Sequence, residues 1–229
     1  MVIGGFQKFS LADFPGKISA IVFTRGCNFR CPYCHNPELV DPACYTPEIS
    51  PEEVLRFLGS RTRQLQGVVL TGGEPTLHAD LPSFLAEIRE LGFAAKLDTN
   101  GSNPDLLQEI IRDSLVDYIA MDIKAPLDAY SRISGVPVRV EDIERSVRLV
   151  IGSGLPHEFR TTYQGSLLST EDMGAIAGIV QGCAHYVVQS FRPSRTLDPT
   201  MAALARPDRA TLQEIRKLME SAGLPVLVR

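Results

Sequence analysis

The feature that most constrains the fold of this 229-residue chain is a repeated alternation of short apolar segments with longer amphipathic ones. The short segments are rich in β-branched residues, as is typical of buried strands, and the longer segments space their apolar residues as a helix does. Strands that alternate with helices pair in parallel through right-handed crossovers. The predicted strands are Ile18–Thr24, Gly67–Thr71, Ala94–Asp98, Tyr118–Ile123, Glu158–Thr162 and His185–Phe191, followed by a short terminal strand within Leu224–Val228.

Capping residues mark the ends of the helices. The run Ser50–Glu53 supplies an N-cap serine, a proline at the first helical position and a glutamate in the first turn, so a helix is predicted to begin there. Ser169 can pair with Asp172 as the cap of a later helix. The other helices are predicted at Asp80–Leu91, from Asn103-Pro104 onward, at Glu141–Ile151, at Ser169–Val180 and at Asp208–Ala222.

Six strand–helix units are fewer than the eight that close a (β/α)8 barrel. We therefore expect an α/β fold, an incomplete (β/α)6 barrel that is open on one side, in a single domain over residues 1–229. Glycines and a proline within residues 1–17 predict an N-terminal hairpin or extended arm. Prolines between residues 37 and 47 predict an irregular chain up to Ser50.

The composition excludes several classes of protein. A formal net charge of -4 with mixed signs gives no basic patch, so nucleic acid and anionic membranes are poor partners. No apolar run reaches about 18 residues, and the N-terminus lacks the pattern of a signal peptide. Five cysteines, three of them clustered, do not resemble a disulfide framework. A cytoplasmic protein that keeps its thiols reduced is expected.

The clustered cysteines point to a metal site. Cys27, Cys31 and Cys34 have C-x3-C-x2-C spacing on a Gly- and Pro-containing loop that directly follows the first predicted parallel strand. Loops at the carboxyl ends of such strands carry the chemistry of α/β folds. Iron–sulfur cubanes usually have four cysteine ligands, so three leave one iron open to another ligand. Tyr33, directly before the last cysteine, suits a flat ligand lying over such a cluster.

Two other interpretations of this loop remain open. A structural zinc site needs a fourth ligand, which His35 or Cys44 can supply. Alternatively, the cysteines are buried and inert. His35 is equally compatible with a structural hydrogen bond, and Cys44 and Cys183 are expected to be ordinary thiols.

A second motif follows the strand Gly67–Thr71. In the run Thr71–Pro75, Gly72 and Gly73 allow backbone groups to approach a ligand closely, and Glu74 can pair with an ammonium group. A plain tight turn is the alternative.

Together the two motifs resemble the radical S-adenosylmethionine (radical SAM) superfamily. The longer string from Phe6 to Lys17, which runs into Cys-Pro-Tyr-Cys-His-Asn-Pro-Glu-Leu-Val, resembles the activating enzymes of glycyl-radical enzymes, in particular that of anaerobic ribonucleoside-triphosphate reductase. The resemblance implies a splayed barrel that holds S-adenosylmethionine and a [4Fe–4S] cluster on Cys27, Cys31 and Cys34. The cysteine-rich insert of some such enzymes is missing, so a single cluster is expected.

The resemblance also implies a reaction. An electron from flavodoxin or ferredoxin drives reductive cleavage of S-adenosylmethionine to a 5′-deoxyadenosyl radical, which abstracts hydrogen from a backbone glycine of a glycyl-radical enzyme. No residue is nominated as an acid–base catalyst.

Further candidate residues lie at the ends of the later strands. The resemblance implies that Asp98 and Asp122 lie near a cation or ribose site and that Lys124 lies near the cofactor. A solvated or salt-bridged Lys124 is the alternative. Arg160 is too polar for a core position unless it faces a ligand or a carboxylate, and the methionine carboxylate is the expected contact. Gln189 and Arg192 are expected to line the adenosine side of the cofactor site. The candidate cofactor-binding residues are Tyr33, Gly72, Gly73, Glu74, Asp98, Asn100, Lys124, Arg160 and Gln189.

Three functional alternatives are kept. The glycyl-radical partner can instead be a pyruvate formate-lyase-like enzyme. The chain can be a radical SAM enzyme acting on a small molecule, of the deazapurine-forming type. A zinc-stabilised adaptor is the alternative that is not an enzyme.

Overall fold

The computed structural model describes all residues from Met1 to Arg229 and confirms an α/β fold with a mostly parallel sheet that is not closed. The eight strands follow one another in the sheet in the order of the chain. Each predicted strand is present, with bounds within two residues of those expected. The strands are β1 Ile3–Ser10, β2 Ser19–Thr24, β3 Gly67–Gly72, β4 Ala94–Thr99, β5 Tyr118–Asp122, β6 His157–Tyr163, β7 Tyr186–Ser190 and β8 Val226–Val228.

The predicted helices also form, and two short ones were not predicted. The expectation of an irregular chain up to Ser50 is wrong for its first part, because Pro37 begins the short helix Pro37–Val40 and Pro42 begins the 3₁₀ turn Pro42–Cys44. Both prolines occupy a first-turn position, where a missing N–H costs nothing. The other unpredicted helix ends at Gly135. This residue has the left-handed conformation, with φ of +73°, in which glycine commonly terminates a helix. The helices are α1 Pro37–Val40, α2 Pro51–Gly59, α3 Leu81–Glu90, α4 Pro104–Arg112, α5 Tyr130–Ser134, α6 Val140–Gly152, α7 Thr170–Ile179 and α8 Arg209–Ser221.

The chain divides into two compact units. The first comprises residues 1–28, 36–99 and 103–119. Within it, β1 pairs antiparallel with β2, with Ser10 opposite Ser19, so the two strands form a hairpin. β2, β3 and β4 then pair in parallel around an apolar core.

The second unit comprises residues 29–35, 100–102 and 120–229. Its strands β6, β7 and β8 pair in parallel, and β8 is the last strand of the sheet. Phe159, Tyr186 and Phe191 are fully buried in its core. The expectation of a single domain over the whole chain stays a prediction. None of the helices is both long enough and apolar enough to cross a membrane.

The cap of α7 provides a test of local stability. The Ser169 side chain accepts a hydrogen bond from the Asp172 amide, and the Asp172 carboxylate accepts one from the Ser169 amide, which completes a capping box. Ser169→Ala is expected to lower the free energy of unfolding by about 1 kcal/mol. Urea denaturation of the metal-free protein measures this loss. Ser169→Thr keeps the oxygen, so a loss as large in that variant would contradict the capping role.

Candidate active site

In the first unit, the loop that follows β3 lies directly against the loop that carries Cys27. The Gly73 amide donates to the Thr24 carbonyl at 2.9 Å, and the Glu74 amide donates to the Gly26 carbonyl at 2.8 Å. A Cβ on Gly73 would stand 1.9 Å from the Gly26 oxygen, and one on Gly72, at φ +120°, would stand 2.4 Å from the Thr24 nitrogen. The two glycines are therefore required for backbone contact between these loops, a use that the sequence did not indicate.

Glu74 is buried, and its carboxylate organises its own surroundings. Its Oε1 accepts hydrogen bonds from the Thr76 amide at 3.0 Å, the Thr76 hydroxyl at 2.6 Å and the Thr99 hydroxyl at 2.7 Å. These bonds cap the short 3₁₀ turn Pro75–Leu77 and tie it to the end of β4. Thr76 and Thr99 were not singled out from the sequence, because threonine in a turn or at a strand end carries no specific signal.

Asp98 is paired with a buried lysine. Lys96, which is only 2% exposed, places its Nζ 2.5 Å from Asp98 Oδ1 and 5.8 Å from the centre of the Tyr118 ring. The sequence analysis did not identify Lys96, since its position within a strand gave no indication that it is buried. Asp98 therefore already has a positively charged partner within the chain, the ammonium group of Lys96.

In the second unit, the segment that carries Cys31 and Cys34 is held by backbone hydrogen bonds from two sides. The Arg30 amide donates to the Ser134 carbonyl at 2.7 Å. The Leu197 amide donates to the Cys34 carbonyl at 2.9 Å, and the Asp198 amide donates to the Pro32 carbonyl at 3.0 Å. The segment is therefore fixed by α5 and by the loop that follows β7.

None of the cysteines forms a disulfide. Cys31 is buried, and burial raises the pKa of its thiol, while the positive charge of Lys124 acts in the opposite direction. Tyr33 is buried, its hydroxyl makes no hydrogen bond, and burial raises its pKa as well. Cys27 and Cys34 are partly exposed.

A cluster of charged side chains lies at the ends of β5 and β6. Asp122 accepts from Lys124 Nζ at 3.0 Å through Oδ2 and from Arg160 Nε at 2.7 Å through Oδ1. Burial raises the pKa of Asp122, but the two positive charges and their hydrogen bonds outweigh it and bring that pKa well below its usual range. Arg160 also lies 3.9 Å from the buried Glu158, a partner that the sequence did not indicate. Arg160 thus faces a carboxylate of the chain itself, and its contact with the methionine carboxylate stays a prediction.

The family model of the radical SAM superfamily matches residues 21–181, which is more than half of the chain. The chain belongs to the radical SAM superfamily. Members of this superfamily bind a [4Fe–4S] cluster and S-adenosylmethionine.

Three relatives resemble this chain in sequence over different shares of its length. Over 233 residues, which is all of this radical SAM chain and 95% of the relative, the chain is 31% identical to a provisionally named glycyl-radical enzyme activating enzyme of Methanocaldococcus jannaschii. It is 35% identical over 146 residues to the pyruvate formate-lyase-activating enzyme of Clostridium pasteurianum, covering 59% of each chain. It is also 36% identical over 110 residues to the 7-carboxy-7-deazaguanine synthase of Methanothermobacter thermautotrophicus, covering 48% of this chain and 42% of the relative.

Solved structures support the fold. A domain of the pyruvate-formate lyase-activating enzyme of Bacteroides vulgatus has a TM-score of 0.59 at 17% identity, covering 72% of this chain and 99% of that one. SuiB of Streptococcus suis bound to S-adenosylmethionine has a TM-score of 0.66 at 14% identity, covering 91% of this chain and 51% of that one.

The residues present fit the cofactors of a radical SAM enzyme. Three thiols that form no disulfide are the ligand type that holds an iron–sulfur cluster, and the buried Tyr33 side chain lies between Cys31 and Cys34 in the same segment. No three or more His, Cys, Asp or Glu side chains are arranged to hold a single metal ion. A cubane differs in this respect because each thiolate binds a different iron, so its ligands need not converge on one point.

Other residues of the predicted site have structural contacts. Asn100 is buried, and its side chain accepts from the Ser102 amide at 2.9 Å. Gln189 accepts from the Thr162 hydroxyl at 3.4 Å. His35 stacks on Phe191 and places Nε2 2.9 Å from the Arg192 carbonyl oxygen, as expected for a structural histidine. The roles assigned to Asn100 and Gln189 towards S-adenosylmethionine stay predictions.

Asp122→Asn is expected to destabilise the metal-free protein by about 2 kcal/mol at pH 7, because two largely buried cations lose their carboxylate. The folded-state pKa of Asp122 is lowered, so its contribution is complete above the unfolded value of about 3.9 and is lost as the pH falls below it. The difference between wild type and variant should therefore shrink in acid.

Urea midpoints measured between pH 3 and pH 7 test this expectation. The matched control is Asp113→Asn, which removes the carboxylate from a solvent-exposed pair with Arg112. A midpoint loss that is equal in the two variants, or that does not change with pH, would contradict the account.

Proposed function

We propose that this chain is the activating enzyme of a glycyl-radical enzyme, with anaerobic ribonucleoside-triphosphate reductase as the partner. The observation that carries the proposal is the likeness to the Methanocaldococcus jannaschii enzyme, which extends over the whole of this chain and 95% of the relative. The radical SAM match and the shorter likeness to a pyruvate formate-lyase-activating enzyme support the same class. The choice of reductase as partner rests on the resemblance of residues 6–40 and is the finer part of the proposal.

In this proposal, Cys27, Cys31 and Cys34 hold one [4Fe–4S] cluster beside S-adenosylmethionine. When bound, the two cofactors supply a 5′-deoxyadenosyl radical that takes hydrogen from a backbone glycine of the partner. Flavodoxin or ferredoxin provides the electron in the cytoplasm. The chain itself contributes positioning and the exclusion of competing hydrogen donors.

Individual residues have distinct tasks in this positioning. Gly72, Gly73 and Glu74 are proposed to bind the amino end of the methionine moiety, with the backbone contact at Gly26 fixing their loop next to Cys27. Arg160 is proposed to meet the methionine carboxylate, and its bond to Asp122 orients the guanidinium. Asp98, Asn100, Lys124 and Gln189, together with Tyr33, are proposed to line the rest of the cofactor site.

The test is anaerobic reconstitution followed by reduction with dithionite in the presence of S-adenosylmethionine. Iron and sulfide content, the visible absorption of the cluster and the formation of 5′-deoxyadenosine are measured on the same sample. About four iron atoms per chain together with 5′-deoxyadenosine are expected. A colourless protein that holds one zinc ion and forms no 5′-deoxyadenosine would eliminate the proposal and favour the zinc-stabilised adaptor.

A second candidate function is a small-molecule reaction of the deazapurine-forming type. The likeness over 110 residues to a 7-carboxy-7-deazaguanine synthase is the observation in its favour. It covers 48% of this chain, whereas the likeness to the activating enzyme covers all of it, so we prefer activation. Formation of 7-carboxy-7-deazaguanine by the reconstituted protein, without a protein partner, would reverse this preference.

A further inference from the structure

The outer edge of β8 presents backbone groups that have no partner. The ladder between β7 and β8 uses the Pro225 carbonyl, which accepts from the Tyr186 amide, and both backbone groups of Arg229, which bond to Val188 and Ser190. In a parallel ladder, alternate residues direct both their N–H and their C=O to the same neighbour. The backbone groups of Val226 and Val228 therefore point away from β7. β8 is the last strand of the sheet, so this edge is open.

The side chains of this edge strand are unusually exposed for their type. Leu227 is 46% exposed and Val228 is 36% exposed, and both are among the few large apolar side chains of the chain that reach solvent to this extent. Because successive side chains of a strand point to opposite faces, Leu227 lies on one face, and Val226 and Val228 lie on the other. Val226 is buried on that second face.

The second face of the edge borders a basic groove of about 470 Å³. Val228 and Leu212 form its apolar part, and Arg206, Arg209 and Arg216 supply its charge. No carboxylate lines it, and Glu220, to which Arg216 bonds at 2.8 Å, is not among the lining residues. Arg209 is exposed, with no hydrogen bond or ion pair. Three arginines in one groove of a chain with net charge -4 form a local positive surface.

We propose that an extended segment of the partner protein adds to the outer edge of β8, with acidic side chains in the arginine groove and apolar side chains against Leu227. Backbone hydrogen bonds to Val226 and Val228 supply the attachment, and the two faces select a segment in which acidic and apolar residues alternate. The identity of this partner as the glycyl-radical enzyme rests on the proposed function. The open edge is thus a docking strand for the protein substrate.

Peptide binding tests the surface itself. The probe is a fluorescein-labelled peptide of four Glu-Val repeats, and its counterpart has four Lys-Val repeats. Fluorescence anisotropy is expected to show that Arg209→Glu and Val228→Pro each weaken binding of the Glu-Val peptide at least tenfold. The proline removes only an N–H that lies outside the ladder, so the fold is expected to survive. Arg63→Glu, an equal charge change at an exposed arginine of the first unit, is the matched control.

Unchanged affinity in Arg209→Glu and Val228→Pro would overturn the proposal, as would equal binding of the Lys-Val peptide. Sedimentation of the wild-type chain tests whether the edge instead pairs with a second copy. A dimer that dissociates in Val228→Pro would assign the edge to self-association and would also overturn the proposal.

The activation assay separates this inference from the proposed function. 5′-Deoxyadenosine formed without the partner reports on the radical chemistry, and the glycyl radical in the partner reports on docking. Arg209→Glu and Val228→Pro are expected to keep the first and to lower the second at least tenfold. Retention of both would refute the docking strand alone. Absence of 5′-deoxyadenosine in the wild-type protein would instead refute the proposed function.

Discussion

Replacing any one of Cys27, Cys31 and Cys34 with serine is expected to abolish both cluster assembly and formation of 5′-deoxyadenosine. The three thiols lie within eight consecutive residues of one loop, and none is engaged in a disulfide. Three thiolates are one fewer than the usual ligand set of a cubane, so the loss of another leaves too few to retain it. The expected loss of activity is therefore complete, and the iron content should fall close to zero.

The control for this experiment is Cys44→Ser. Cys44 lies at the end of the short turn after α1, partly exposed, with its Sγ 3.8 Å from Asp41. Iron content and activity are expected to stay at the wild-type level in this variant. Full iron and sulfide in any of the three loop variants would refute the assignment of the ligands, and loss of iron in Cys44→Ser would show that a fourth cysteine takes part.

Gly73→Ala is expected to lower the free energy of unfolding by about 3 kcal/mol and to reduce cluster assembly with it. The added methyl group would stand 1.9 Å from the Gly26 carbonyl oxygen, and backbone atoms cannot yield as a flexible side chain does. The two loops must therefore separate, which breaks the bonds from Gly73 to Thr24 and from Glu74 to Gly26. Because Gly26 directly precedes Cys27, the displacement reaches the first cysteine.

Gly178→Ala is the matched control. Gly178 lies in the exposed part of α7, and a Cβ built there meets no atom within 4 Å. In a helix this change is expected to stabilise the protein by about 0.5–1 kcal/mol. Urea denaturation is expected to give stability changes of opposite sign for the two variants, and the iron content is expected to fall only in Gly73→Ala. Wild-type stability and iron content in Gly73→Ala would contradict the proposed role of the loop contact.

The order of strands and helices could be predicted because the apolar periodicity is regular and the caps are explicit. Ser50, Asn103, Ser169 and Asp208 all accept a hydrogen bond from a first-turn amide, as their residue types indicate. α1 was missed because prolines were taken to exclude helix, although Pro37 occupies a first-turn position that tolerates it. Gly135, a residue type that often ends a helix, is the sequence feature that would have indicated the end of α5.

The candidate site was predictable in its motifs but less so in its contacts. Arg160 stood out because arginine within a strand needs an anionic partner, and Asp122 is that partner. Glu158 and Lys96 did not stand out, because burial of a charge depends on which strands become neighbours and not on local sequence. Gly72 and Gly73 were identified as a close-approach motif, but the approaching group in the structure is the loop after β2.

The most direct test of the account follows one hydrogen atom. The anaerobic ribonucleoside-triphosphate reductase is prepared with α-deuterated glycine and incubated with the reconstituted chain, S-adenosylmethionine and reductant. If the chain is its activating enzyme, deuterium will appear in the 5′-deoxyadenosine, and a glycyl radical will appear in the reductase. If 5′-deoxyadenosine forms without deuterium and no radical appears in the reductase, then the reductase is not the substrate of this chain. The same outcome with a pyruvate formate-lyase-like enzyme would contradict the activating function.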